Sequence, residues 1–355
     1  MAGDKTGRAF GTGENLFMQL TDAKAMEIAL EIMTRTMPFF KRNRNSMTDQ
    51  DLIVKPDGSP VTTRDLAGQA LYVLLLERAL HLPPGELQMC GEETSEMLEG
   101  SGASDLRMRV CELLAVEGFR ISQSTIGSVI SRGSLRPEQG SGSTHWICDP
   151  IDGTKRYLSG HVYSTCLAFV RKGALVAGAI GVPDLPATGA KEVIRPGGAG
   201  TLVGAYRGGG AFQADGGNPL EHLTRLRVRP YSCDSPRVRV ARSLGNIPFG
   251  PRLKQSLEAA GVEGIPVQVD NQSKYAALVT DRVDLIAQTG LSKDSPCSWD
   301  YAPGVLIAEE FGVVVKDGAN KPFDFDTGSR LLCNNGVRCA HSSLYDPLFS
   351  TDEPS

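Results

Sequence analysis

The sequence has little that would suit a membrane or a nucleic acid. Its longest aliphatic stretches, residues 71–76 and 174–182, fall short of the roughly 18 apolar residues that a membrane span needs. It has no excess of positive charge, because 37 Lys and Arg residues face 41 Asp and Glu residues and the formal net charge is -4. An anionic membrane surface or a nucleic-acid polymer is therefore unexpected as the main partner, and small molecules are expected instead.

Signals for export and for a disulfide framework are also missing. Residues 1–15 contain no apolar block of the secretory kind and are too acidic and Gly-rich for a transit peptide, so a cytoplasmic location is expected. The eight cysteines include no CxxC pair, which argues against a zinc site and against a disulfide scaffold. Nothing in the sequence indicates an oligomeric state.

The length of 355 residues suits two domains with a sizeable core. After a lead-in over residues 1–20, we predict an α+β domain over 21–230 and a smaller α/β domain over 231–355. Apolar spacing and turn signals predict helices over 22–40, 64–80 (capped by Thr62 or Thr63) and within 105–132, strands at 87–90 and 146–148, and hairpins over 163–182 and 202–212.

Beyond residue 230 the pattern alternates between strand and helix, as in α/β units. The predicted strands are 237–241, 267–270, 283–287 and 313–315, and the predicted helices are 252–260, 272–279 and 301–311.

Recognisable chemistry begins where the strand at 146–148 runs into Asp149-Pro-Ile-Asp152-Gly-Thr154. Two carboxylates three residues apart, with a proline fixing the turn between them, can point at one site. Gly153 permits close backbone approach, and free N–H groups at the start of a helical turn favour an anion. Oxygen ligands that face an anion suit Mg²⁺. The segment predicts metal-dependent phosphate chemistry, and an Asp-rich turn with a capping threonine is the alternative.

Other acids should converge on this segment, because one pair of carboxylates rarely holds Mg²⁺ well. Glu92 and Glu93, directly after a strand, and Asp300, after Trp299 at the start of a helix, are the candidates. Taken singly, each is more typical of an ordinary solvated acid or a helix N-cap.

Taken together, these segments resemble a known group of enzymes. Gly91-Glu92-Glu93, the 149–154 segment and Trp299-Asp300-Tyr-Ala-Pro-Gly304, with Val61-Thr-Thr-Arg-Asp65 as a fourth block, are similar to the lithium-sensitive, magnesium-dependent phosphomonoesterases related to inositol monophosphatase. Residues 153–160, 178–183 and 270–275 are most similar to 3'(2'),5'-bisphosphate nucleotidases. The likeness runs from about residue 22 to about residue 335. It implies a layered α-β-α-β-α sandwich of the inositol monophosphatase and fructose-1,6-bisphosphatase type.

The resemblance also implies a set of metal ligands, with two to three Mg²⁺ ions in the active site. Glu92, Asp149 and the main-chain carbonyl of Ile151 would hold the ion that activates water. Asp149, Asp152 and Asp300 would hold a second ion on the side of the leaving group, and lithium would inhibit there.

Further roles follow from the same resemblance. A third, weaker ion would lie near Glu92 and Asp65, and Asp65 with Thr154 would orient and deprotonate the attacking water. Main-chain N–H groups of Gly153 and Thr154 would bind the scissile phosphate.

Substrate contacts are implied for the block that contains Asp270, Asn271 and Lys274. Lys274 would bind the non-scissile phosphate of a nucleotide, and an ordinary surface lysine is the alternative. The sequence departs from the family pattern on this side alone. Asn271 replaces a serine, residues 241–246 lack an expected histidine, no arginine lies between residues 283 and 291, and Pro303 replaces an alanine. Arg242 offers a replacement cation, unless it is a strand arginine that faces solvent.

Since no metal ligand is lost, catalysis is expected to be intact. The leading hypothesis is hydrolysis of the 3' phosphate of adenosine 3',5'-bisphosphate, with 3'-phosphoadenylyl sulfate as a second substrate and a role in sulfur assimilation. The alternatives are an inositol phosphate phosphatase and a nucleotide- or metal-binding sensor without turnover. The complete ligand set and the pair of Asp65 and Thr154 argue against a sensor, which needs no water-activating pair.

Overall fold

The structure is a computed structural model that describes residues 17, 19–185, 200–214, 219–229, 231, 237–243, 249–288 and 296–349. Its helices are α1 Asp22–Arg44, α2 Thr63–Ala79, α3 Ser104–Val116, α4 Ile126–Ser131, α5 Thr154–Leu158, α6 Pro251–Ala259, α7 Ser273–Val279, α8 Ala302–Phe311 and α9 Ser342–Phe349. Among the described residues, no helix combines the length and the apolar character that crossing a bilayer requires.

The strands form two main sheets and one small hairpin. They are β1 Leu52–Val54, β2 Pro60–Thr62, β3 Met89–Gly91, β4 His145–Asp152, β5 Ser164–Arg171, β6 Ala174–Val182, β7 Thr201–Tyr206, β8 Gly210–Ala214, β9 Thr224–Arg225, β10 Arg237–Arg242, β11 Glu263–Gln268, β12 Leu285–Gln288, β13 Val314–Lys316 and β14 Val337–Ala340. Strands β1 and β2 pair with each other outside the two larger sheets.

The first large sheet runs in chain order from β3 to β9, and it is antiparallel except for the parallel pair of β3 and β4. The second sheet has the order β11-β10-β12-β14-β13, in which β10 is parallel to both β11 and β12. A short parallel arrangement therefore forms at the start of the second sheet, as its alternating pattern predicted.

The helices and the two large sheets stack into five alternating layers. Helices α1 and α2 cover one face of the first sheet, and α8 packs against β6, β7 and β8 on that sheet's other face. Residues of α7 and α8 share one core with β12, β13 and β14 of the second sheet, while α6 and α9 share a separate core with β10. The predicted α-β-α-β-α sandwich is confirmed.

Most of the predicted elements are confirmed, with shifted bounds. Helix α1 continues to Arg44, four residues beyond its predicted end, and Pro38 lies within it. The patterns over 105–132 form two helices, α3 and α4, with a non-helical stretch between them. The strand predicted at 267–270 is present with misplaced bounds, because β11 begins at Glu263 and ends at Gln268. The sheets change between Arg225 and Arg237, and a domain boundary near residue 230 stays a prediction.

Candidate active site

An irregular register at the end of β4 brings two acids together. Asp149 pairs with Cys166 and Asp152 pairs with Ser164, so three steps along β4 match two steps along β5. Side chains three positions apart on a regular strand point to opposite faces, and one extra residue returns them to the same face. Oxygens of Asp149, Asp152 and Asp300 consequently lie within 4.8 Å of one another. The predicted strand at 146–148 is too short, since β4 reaches Asp152.

Asp300 reaches this group from the second half of the chain. It ends a short 3-10 turn over Ser298–Asp300, directly before α8. Pro303 lies in the first turn of α8, where its fixed φ suits a helix start, so the departure from the family pattern is compatible with the helix.

Gln272 connects these loops to the acids and was not identified from the sequence. Its main-chain N–H donates to Asp152, its side-chain Nε2 donates to the carbonyl of Trp299 over 2.7 Å, and its Oε1 accepts from the N–H of Gly304 over 2.9 Å. The side chain is fully buried. Only its place beside Asp270 and Asn271 marked it in the sequence.

The chemistry of the three acids fits a divalent cation. The pKa of Asp149 is raised well above its usual range. Burial is the largest cause, and the nearby carboxylates of Glu92, Asp152 and Asp300 add to it. Burial likewise raises the pKa of Asp300 to about 8 and that of Asp152 to about 7. Oδ1 of Asp149 is buried and has no hydrogen-bond donor among the described residues. A buried carboxylate oxygen without a donor, beside other carboxylates, calls for a cation.

Glu92 lies next to this group rather than inside it. Nζ of Lys55 is 3.2 Å from Glu92 Oε1 and 2.9 Å from the Glu93 carboxylate. Glu93 is buried, and its main-chain N–H donates to Oε1 of Gln69 over 2.8 Å. Lys55, in the turn between β1 and β2, was not identified from the sequence, because only the fold brings that turn to the acids.

The predicted pair of Asp65 and Thr154 is assembled. Oδ2 of Asp65 accepts from the main-chain N–H and the hydroxyl of Thr62, over 2.7 and 2.6 Å, in a capping box at the start of α2. Oδ1 lies 3.2 Å from the Thr154 hydroxyl, which is also 3.2 Å from the carbonyl of Ile151. Burial raises the pKa of Asp65 to about 6. The carboxylate is thus held at one oxygen and presented to Thr154 at the other.

The backbone of Gly153 explains why glycine is needed before α5. Its φ is +95°, a conformation that other residues rarely adopt. A Cβ at this position would lie 2.6 Å from Nδ2 of Asn271. Asn271 is itself fixed, because Oδ1 accepts from the Ser164 hydroxyl over 3.0 Å and Nδ2 donates to the carbonyl of Val162 over 3.0 Å.

Lys274 is a buried residue, so the surface-lysine alternative is wrong. It is 5% exposed, and its Nζ lies 5.0 and 5.7 Å from the ring centroids of Tyr275 and Tyr301. Burial lowers the pKa of Lys274, against the effect of the nearby carboxylates of Asp152 and Asp270.

Only some of the remaining residues predicted on the substrate side lie in the part of the chain that the structure describes. Asp270 accepts from the Ser243 hydroxyl over 2.7 Å and from Arg156 over 3.3 Å. Arg242 is half-buried, and its guanidinium lies 5.2 Å from the ring centroid of Phe249. The altered segment at 244–246 and residues 289–291 lie outside the described residues.

Comparison with known proteins decides the family. A sequence profile described as "Inositol monophosphatase family" matches residues 22–348. The chain belongs to the inositol monophosphatase family. Its predicted class, a phosphatase of this family, is confirmed.

Named relatives of this inositol monophosphatase family member extend over most of the chain. It is 31% identical over 312 residues to "3'(2'),5'-bisphosphate nucleotidase" of Schizosaccharomyces pombe, covering 83% of this chain and 84% of that protein. It is 29% identical over 326 residues to "3',5'-bisphosphate nucleotidase 2" of Arabidopsis thaliana, covering 88% and 91%. The crystal structure of the extragenic suppressor protein suhB from Bartonella henselae has a TM-score of 0.56 at 18% identity, covering 92% and 99%, and supports the fold.

Proposed function

We propose that the chain is a Mg²⁺-dependent phosphomonoesterase that removes the 3' phosphate from adenosine 3',5'-bisphosphate. The observation that carries the proposal is the contact of Thr154 with Asp65 beside the three clustered acids. The nucleotide substrate is supported by the relatives from Schizosaccharomyces pombe and Arabidopsis thaliana, whose names specify bisphosphate nucleotidases. 3'-Phosphoadenylyl sulfate is a second substrate, which connects the enzyme with sulfur assimilation, and we place the activity in the cytoplasm.

In this proposal the acids form more than one cation site. Asp149, Asp152 and Asp300 would hold one ion, and Glu92, Asp149 and the Ile151 carbonyl would hold another. Glu92 and Asp65 would hold a third ion more weakly. When bound, Mg²⁺ acts as a Lewis acid and lowers the pKa of water.

The chain's own groups orient and deprotonate the water. The Thr154 hydroxyl accepts a hydrogen bond from the attacking water and donates its own proton toward Oδ1 of Asp65. Because burial raises the pKa of Asp65 to about 6, this carboxylate is a stronger base than an exposed aspartate and still ionised near neutral pH. Main-chain N–H groups of Gly153 and Thr154 bind the scissile phosphate, while Asp270, Asn271 and Lys274 form the substrate side.

Release of inorganic phosphate from a panel of substrates tests the proposal. The panel contains adenosine 3',5'-bisphosphate, 3'-phosphoadenylyl sulfate, adenosine 3'-monophosphate and inositol 1-phosphate, each with Mg²⁺ and with EDTA. We expect the bisphosphate to give the highest kcat/KM, a requirement for Mg²⁺, and inhibition by lithium.

Each alternative has its own outcome in the same panel. Preference for inositol 1-phosphate would replace the nucleotidase with an inositol phosphate phosphatase. Binding of adenosine 3',5'-bisphosphate by calorimetry without phosphate release from any substrate would indicate the sensor.

A further inference from the structure

The last residue of α1 binds the turn that carries Thr154. Nε of Arg44 donates to the carbonyl of Tyr157 over 2.8 Å, and Nη2 donates to the carbonyls of Arg156 and His161 over 3.2 and 2.6 Å. The carbonyls of Arg156 and Tyr157 belong to α5, and that of His161 lies three residues beyond the end of this helix. One guanidinium therefore satisfies the carbonyl groups at the C-terminal end of this helix.

The guanidinium is itself held firmly. Nη1 of Arg44 donates to Asp184 over 2.9 Å, and the two side chains are 15% and 10% exposed. The Arg44 Cζ lies 5.3 Å from the ring centroids of both Tyr157 and Tyr163. Tyr157 also donates its hydroxyl to the carbonyl of Phe40, one turn earlier in α1. The contact is buried and has several partners, unlike an exposed ion pair, which contributes little.

Helix α5 needs such an external contact because of its length. It has five residues, and a helix of about one turn is unstable without tertiary contacts. Thr154 is its first residue, and the preceding Gly153 has a left-handed conformation that leaves the chain free to turn there. The position of Thr154 therefore depends on what holds the other end of α5, in addition to its own contacts with Asp65 and the carbonyl of Ile151.

The same end of α1 also contacts the residue before Asp65. Nε of Arg64 donates to the carbonyl of Asn43 over 3.2 Å, and Nη2 donates to the carbonyl of Ser46 over 3.2 Å. Asn43 lies one residue before Arg44 and Ser46 lies two residues after it. Consequently one short segment, residues 43–46, is bonded both to the turn of Thr154 and to the start of α2, which carries Asp65.

We infer that Arg44 is a positioning residue that holds the Thr154 hydroxyl in register with Asp65. Its catalytic consequence rests on the proposed function, whereas its effect on the backbone of residues 154–161 does not. A small displacement of a catalytic group can lower a rate about 10²-fold, so replacing Arg44 should lower kcat more than it raises KM.

The test compares Arg44→Met and Arg44→Lys with Arg171→Met. Arg171 is a matched control, because its guanidinium contacts Asp22 and the carbonyl of Leu20 near the opposite end of α1, with similar exposure of 21%. For Arg44→Met we expect kcat to fall by about 10- to 100-fold with KM changed less than about threefold. Arg44→Lys should recover part of the loss, and Arg171→Met should change thermal stability without the loss in kcat.

A double-mutant cycle separates positioning from general destabilisation. In a Thr154→Val background, Arg44→Met should reduce the remaining kcat by clearly less than it does in wild type, because the hydroxyl that Arg44 positions is already gone and only the phosphate-binding N–H groups remain to be displaced. A full additional loss in that background, or an equal loss in Arg171→Met, would overturn the inference.

Amide hydrogen exchange measures the effect of Arg44 on the backbone and does not depend on enzyme activity. The N–H groups of Arg156, Tyr157 and His161 are hydrogen-bonded within the turn. Arg44→Met should speed their exchange by about tenfold or more, while Arg171→Met leaves it unchanged. Unchanged exchange in Arg44→Met would refute the inference even in an active enzyme. If the wild-type chain releases no phosphate from any substrate, the proposed function fails and the exchange experiment still decides the role of Arg44.

Discussion

The Thr154 hydroxyl lies 3.2 Å from Oδ1 of Asp65, although the two residues are 89 positions apart. The other oxygen of Asp65 is occupied by two hydrogen bonds from Thr62 at the start of α2. The carboxylate therefore cannot rotate freely, and the oxygen that faces Thr154 remains available for a proton. This contact joins the start of α2 to the turn after β4.

Removing the Thr154 hydroxyl tests the proton path. We expect Thr154→Val to lower kcat by about 10²- to 10⁴-fold, because general-base assistance has this size. Thr154→Ser keeps a hydroxyl at the same position and should stay within about tenfold of wild type. Steady-state kinetics with adenosine 3',5'-bisphosphate measures both variants. Equal losses in the two variants would contradict a proton path through the hydroxyl, because Thr154→Ser keeps that hydroxyl.

The Asp149 carboxylate should be indispensable for activity. Asp149→Asn should lower kcat by roughly 10³-fold or more, because preorganised charge dominates phosphoryl transfer. In EDTA near pH 8 the variant should melt no lower than wild type, since the substitution removes one of several mutually repelling buried carboxylates. A loss of only a few fold in kcat would exclude Asp149 as a ligand shared by two ions.

Two parts of the predicted site are coded locally, whereas the pairing of Asp65 with Thr154 and the approach of Asp300 to Asp149 were predicted from the resemblance to a family. Thr62 and Asp65 are three residues apart, so the capping box follows from helix geometry alone. The acids at 149 and 152 were likewise placed in one site by their short segment and its resemblance. Apolar spacing was sufficient for α1 and α2, because each buries a continuous face against the first sheet.

The parts that sequence reasoning missed depend on contacts between distant segments. The extra residue in β4 is visible only once its partner strand β5 is in register. Lys55 and Gln272 reach the acids across 37 and 120 positions of sequence, and neither has a local pattern that indicates a site. The bounds of β11 were misplaced because Val267 and Val269 look like strand core, whereas the pairing with β10 begins at Glu263.

Stability of the metal-free protein should fall as pH rises. Burial raises the folded-state pKa of Asp152 to about 7 and of Asp300 to about 8, while both titrate near about 3.9 when unfolded. Between these values the folded state binds more protons than the unfolded state. The contribution of these two groups to the free energy of unfolding is therefore highest below about pH 4, and it declines as the pH rises to about 8.

Thermal denaturation in EDTA and in Mg²⁺ checks this dependence. A bound cation offsets the repulsion only where the acids are ionised, so the gain in Tm from Mg²⁺ should increase between about pH 5 and about pH 8. In Asp300→Asn the increase should be smaller. A gain that stays constant over this range would contradict the assignment of Asp152 and Asp300 to the cation site.

Specificity for a second phosphate should depend on Lys274. It is 5% exposed and lies near Asp152 and Asp270, so two roles compete: contact with the substrate and compensation of the acids. If it binds the non-scissile phosphate, Lys274→Ala should raise KM for adenosine 3',5'-bisphosphate by about 10- to 100-fold, as expected for a charge-assisted contact of about 1.5 to 3 kcal/mol. Adenosine 3'-monophosphate, which lacks only the 5' phosphate, should then show almost no change in KM.

If Lys274 instead compensates the negative charge of the acids, kcat should fall equally for both substrates. The Mg²⁺ concentration that gives half-maximal activity should then also shift. Lys274→Met, which keeps most of the side-chain volume between the rings of Tyr275 and Tyr301, separates either charge effect from the loss of packing.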